Sequence, residues 1–73
     1  MNLLNKIETN PNVMLGKPVI KGTRITVELV LRKLSGGFSF EEILEMYPHL
    51  QQIDLLAAID YAAYSVANEE VYQ

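Results

Sequence analysis

The chain has no cysteine, one histidine, and neither Lys nor Arg after Lys33. Without cysteine there is no disulfide to staple a small fold, and a lone histidine cannot assemble a metal centre. No metal or cofactor is therefore expected. No run of about eighteen apolar residues occurs, so no helix is expected to span a membrane. The start, MNLLNKIETN, lacks the basic opening, apolar stretch and small-residue cleavage site of a signal peptide. The lack of cysteine fits a reducing compartment, and a cytoplasmic location is the expectation.

What is present sets narrower limits. A chain of 73 residues makes one domain, and one so short buries only about 60% of its unfolded surface. Yet 49% of its residues are hydrophobic, which argues against disorder and exceeds what so small a core can hide. Self-association, with a homodimer as the simplest form, is the expected remedy. Charge is segregated. Lys6, Lys17, Lys21, Arg24, Arg32 and Lys33 face only Glu8 and Glu28 in the first part, whereas Glu41, Glu42, Glu45, Asp54, Asp60, Glu69 and Glu70 follow without a single Lys or Arg. Such asymmetry suits two kinds of contact, phosphate for the basic part and a basic protein for the acidic part. Plain solvation of a small domain is the competing reading.

Local pattern divides the domain into an extended or β element over about residues 5–27, three helices over about 26–67, and a frayed tail from 68 to 73. Ile7 and Thr9 alternate like a strand, and Asn10-Pro11-Asn12 breaks it. Val19-Ile20 and Ile25-Thr26-Val27 are β-branched runs flanking Lys21-Gly22-Thr23-Arg24, as in a hairpin or two bridged segments, with positive φ at Gly22. Thr26 is placed to cap a first helix whose stripe is Val27, Val30, Leu31 and Leu34, and Ser35-Gly36-Gly37 ends it. Ser39 and Glu42 have capping-box spacing, and Phe38 and Ile43 have hydrophobic-staple spacing, so a second helix starts there and stops before Pro48. A third helix runs from Gln51 or Gln52 to about Ala67. It is apolar on two sides: Leu55, Ile59, Ala62 and Val66 form one stripe, and Ile53, Ala57, Tyr61 and Tyr64 the other. A terminal helix of a three-helix domain cannot bury both, so the second stripe is expected to meet a second chain. The result is a mainly α, three-helix fold with a short N-terminal β hairpin or arm, in the order of a helix-turn-helix.

Chemistry is sparse. The GKP at 16–18 is not a P-loop, which needs four residues before GK, Ser or Thr after it, and a helix opening at once. His49 lacks a nucleophile and an orienting group at suitable spacing and reads as a turn residue. Glu41 and Glu45 share a helix face, where a solvated surface is a better account than a catalytic pair. The pattern points away from an enzyme and offers no small-molecule substrate.

Three stretches nonetheless resemble a known family. GKPVIKGTRITV (16–27), LSGGFSFEEILEMYPHL (34–50) and AAIDYAA (57–63) are similar to the motifs of the domain-of-unknown-function 433 family, across about residues 7–63. The resemblance implies a homeodomain-like three-helix fold with an N-terminal β element, dimeric in many members. Several members look like VapB-like antitoxins of bacterial toxin–antitoxin pairs, which neutralise a toxin with a PIN-like nuclease fold and bind their own operator DNA; for many others no function is established. In a helix-turn-helix the third helix would read the major groove. Here Gln51 and Gln52 are its candidate base readers. Phosphate contacts supply most DNA affinity, and this helix carries Asp54 and Asp60 instead. Lys17, Lys21 and Arg24 are therefore the candidate phosphate contacts, and Ile53, Ala57, Tyr61 and Tyr64 the candidate partner surface. The alternative is an interaction module with the same fold that does not bind DNA.

Overall fold

A computed structural model describes residues 2–68. The expected frayed tail lies outside them except for Asn68, which closes the last helix: its backbone N–H and its Nδ2 both donate to the Tyr64 carbonyl.

The order is a 3-10 turn (Leu3–Lys6), strand β1 (Ile7–Glu8), a second 3-10 turn (Met14–Gly16), β2 (Val19–Ile20), and helices α1 (Val27–Ser35), α2 (Phe40–Met46) and α3 (Gln52–Ala67). The fold is mainly α, with three helices and one two-stranded antiparallel sheet, as the pattern implied. The sheet partner differs in part. β2 is bridged to Thr26, on the far side of the Lys21–Arg24 turn, but its full ladder is with β1, in the register Ile7 to Ile20 and Glu8 to Val19. This pairing spans more than ten residues and brings the N-terminal segment onto the helices. The Lys21–Arg24 turn is held from the N-terminal segment, where Lys21 N–H donates to the Lys6 carbonyl and Gly22 N–H to Glu8 Oε1, and from within. Thr23 N–H and Oγ1 both donate to the Ile20 carbonyl, and Ile25 N–H donates to Thr23 Oγ1 at 3.0 Å. Gly22 takes φ 80°, which a side chain would strain.

The helix ends follow their capping chemistry. The Thr26 side chain accepts from Leu29 N–H at 3.0 Å. At the other end Phe38 N–H reaches the Lys33 carbonyl and Gly37 N–H the Leu34 carbonyl, with Gly37 at φ 95°. That is the Schellman arrangement. Ser39 and Glu42 exchange both bonds of a capping box, at 2.9 and 3.1 Å. The start of α3 is capped in a way the pattern did not reveal. Gln51 is a poor cap, and Asp54 reaches back to accept from Gln51 N–H at 2.8 Å while Lys6 Nζ sits 3.3 Å from its other oxygen. Asp54 is buried, so this pair ties the N-terminal turn to α3.

The core is built from Ile20, Ile25, Val27, Val30, Ile43, Leu50, Leu55 and Ala58, with Val19 and Ala57 fully buried beside it. Burying each large aliphatic contributes about 1.5–3 kcal/mol. α3 packs chiefly on α1 and on the Leu3–Lys6 turn. Its buried arc is Asp54, Leu55, Ala57, Ala58 and the half-buried Tyr61 and Ala62. The two alanines let neighbouring backbone come close. This corrects the expected partner stripe. Ala57 is fully buried and so covered from within the chain, whereas Tyr61 is half-buried, packed against the core on one side. Ile53 is half-buried, and Tyr64 alone of the four is exposed.

Candidate functional site

The face of α3 that points away from the core carries Gln52, Leu56, Ile59 and Ala63, at helical spacings of four, three and four, with Asp60 beside them. All five are exposed. Leu56 and Ile59 are large apolar groups left about two-fifths open, at 41% and 38%. This strip contains no cation. The neighbouring α2 presents Glu41, Glu42 and Glu45 to solvent. A phosphate backbone approaching α3 would therefore meet carboxylates and hydrocarbon, whereas a protein surface with apolar and basic groups would find complements.

Most of the positive charge is already engaged. Lys6 is paired with Asp54. Lys17 Nζ and Arg32 Nε lie 3.1 and 3.0 Å from the two oxygens of Glu28. The two cations hold the Glu28 carboxyl below the ordinary range, the Lys17 bond contributing most. Lys33 Nζ stands 5.1 Å above the Phe38 ring, a cation–π contact. Among the described residues, Lys21 and Arg24 stand outside any ion pair, both exposed on the turn after β2. Of the three residues read as phosphate contacts, Lys17 is thus committed to Glu28 and the other two are free. Gln51 and Gln52 are exposed at the start of α3, on a different element from those cations.

Two further features escaped the sequence pattern. An open groove of about 510 Å³ lies between α1 and α3. Val27, Leu31, Tyr61 and Ala62 floor it, Val66 edges it, and Lys17, Glu28 and Arg32 line its charged rim. Lys17 and Pro18 mark one end. Just before them, Met14, Leu15 and Gly16 take φ 50°, 59° and 82° in succession. The turn is held by Val13 N–H to the Asn10 carbonyl, Gly16 N–H to the Val13 carbonyl and Lys17 N–H to the Met14 carbonyl. It leaves Leu15 95% exposed. The apolar run Val13-Met14-Leu15 was visible in the sequence; its left-handed backbone was not, because neither Met nor Leu announces positive φ. His49 is exposed between α2 and α3, and among the described residues no cluster of metal-ligating side chains occurs. Nor is any helix among them long and apolar enough to cross a membrane.

Comparison with known proteins agrees with this architecture. A family model described as "Protein of unknown function (DUF433)" matches residues 7–62. The uncharacterized protein y4eO of Sinorhizobium fredii (strain NBRC 101917 / NGR234) is 34% identical over 56 residues, covering 77% of this chain and 25% of that protein. A crystal structure of a DUF433 member protein from Anabaena variabilis ATCC 29413 superposes with a TM-score of 0.81 at 33% identity, covering 86% of this chain and 62% of the other. The chain thus spans a quarter of one relative and less than two-thirds of the other.

Proposed function

The chain belongs to the DUF433 family of proteins of unknown function, and from that premise we propose that it is a protein-binding module of the antitoxin kind. In this reading two copies associate and use the outward face of α3 to hold a partner protein, for which a toxin with a PIN-like fold is the candidate that the family resemblance implies. The observation that carries the reading is the composition of that face. In a helix-turn-helix it would enter the major groove, yet here it is Gln52, Leu56, Ile59 and Ala63 with Asp60 alongside and no cation. Apolar groups with an acid beside them suit a protein surface that carries apolar and basic groups. Such a module performs no catalysis and takes no small-molecule substrate.

Operator DNA is a second, weaker contact in this scheme, favoured by one observation. Lys21 and Arg24 are exposed on a single turn and outside any ion pair, so phosphate contact falls to them rather than to α3.

The test is isothermal titration of the chain with the protein encoded beside it. Binding by the wild type is expected, with at least about tenfold weakening in a Leu56→Asp, Ile59→Asp variant. Absence of affinity for that protein, together with tight sequence-specific binding to the duplex upstream of its own coding region, would overturn the reading.

A further inference from the structure

We propose that the Met14–Gly16 turn and the α1/α3 groove are the two halves of one self-recognition device. Leu15 of each copy is the knob, and the groove of the other copy is the hole. The inference rests on the self-association proposed above and assigns it a surface.

Three observations converge on this pairing. First, Met14 and Leu15 hold left-handed backbone, which is costly for residues other than glycine and persists where the surroundings enforce it. Here the enforcement is a set of backbone bonds from Asn10 to Lys17, with the Asn10 side chain accepting from Asn12 N–H at 2.9 Å. The product of that cost is a 95% exposed leucine on a braced turn. A glycine or asparagine would hold the same turn more cheaply, so the leucine side chain has a use of its own. Second, the groove is floored by apolar side chains and its volume of about 510 Å³ exceeds what one leucine side chain needs. Third, charge permits the match. The rim groups Lys17, Glu28 and Arg32 sit in ion pairs that leave a net charge of only +1, while the turn residues Asn10, Pro11, Asn12, Met14 and Leu15 carry no charge. The uncharged knob itself brings no like charge onto that rim.

Position fixes the symmetry. Leu15 is two residues from Lys17, which lines the end of the groove, so knob and hole are neighbours on one surface. A two-fold axis passing between them engages both pairs in one operation and closes the assembly at two copies. The outward strip with Leu56 and Ile59 stays open for a different partner.

Sedimentation velocity at micromolar concentrations tests this, using Leu15→Asn and Val66→Lys. Asparagine tolerates left-handed backbone, and a lysine near the end of α3 suits the helix dipole, so both variants should keep the wild-type circular dichroism. The wild type is expected to be a dimer, and each variant to dissociate at least about tenfold more readily. Mixing the two variants should restore association in part, because one intact knob then meets one intact hole. A Leu15→Asn variant that dimerises like the wild type overturns this assignment while leaving self-association standing. Folded variants that both dissociate, yet gain nothing on mixing, overturn the pairing of these two features. A monomeric wild type overturns the proposed self-association as well.

Discussion

At the scale of single residues, Asp54 and Glu28 show how a carboxylate's place decides its meaning. In the sequence Asp54 counted as a negative charge on the third helix. In the fold it is buried, caps Gln51 N–H and faces Lys6. Asp54→Ala would strand a capping N–H and leave Lys6 without its partner, at about 2 kcal/mol of stability. Lys6→Met keeps the cap and should cost less; urea unfolding of the two variants measures the difference. Glu28 is exposed and works through pH. Its folded pKa is depressed, chiefly by the bond from Lys17 and then by Arg32. A depressed folded pKa gives stability that is present above the unfolded-chain value and lost as pH falls through the folded one. Stability should therefore drop on acidification below the ordinary glutamate range, and Glu28→Gln should flatten that part of a thermal-melt profile against pH. Only one of the two Glu28 pairs is of a kind that sequence can anticipate. Arg32 lies four residues along the same helix, as a sequence pattern can anticipate, but Lys17 reaches Glu28 from another element.

At the scale of elements, the legible features were those whose chemistry is local. Thr26, Ser39 with Glu42, and Gly37 mark helix ends through bonds within a few residues, and the helices begin and end where those signals stand. Ser39→Ala should cost about 1 kcal/mol by removing one half of the capping box. Gly37→Ala should cost at least that much, about 1 kcal/mol or more, because φ 95° opposes a Cβ whatever the free space around it. Thermal unfolding by circular dichroism reads both. The β1–β2 ladder was less legible, since a pairing across a ten-residue connection leaves no local mark. The orientation of α3 was misread for a related reason. When a helix is apolar on most sides, periodicity cannot say which side faces inward. Ala57 and Ala58 decided it, because small residues admit the N-terminal turn and α1 at close range.

At the scale of the whole molecule, the segregated charge has a more specific meaning than its sum. The first half of the chain is basic by count, but three of its six cations sit in ion pairs and a fourth lies over an aromatic ring. Two remain on one turn, while the outward face of α3 and the exposed side of α2 offer acids and exposed hydrocarbon. The expectation of a partner rests on length and hydrophobic content. The surface proposed for that partner was not legible, because Ala57 is buried within the chain and the outward apolar groups of α3 include Leu56 and Ile59. The central claim is that α3 faces protein rather than DNA. Its most direct test is fluorescence anisotropy of the duplex upstream of the coding sequence, titrated with the wild type and with a Gln51→Ala, Gln52→Ala variant across a range of salt. With two free cations per copy, a pair should show a log–log salt slope no steeper than about −3.6. The account predicts that the variant binds as the wild type does; a loss of about tenfold or more in the variant, confined to that one duplex, would contradict it.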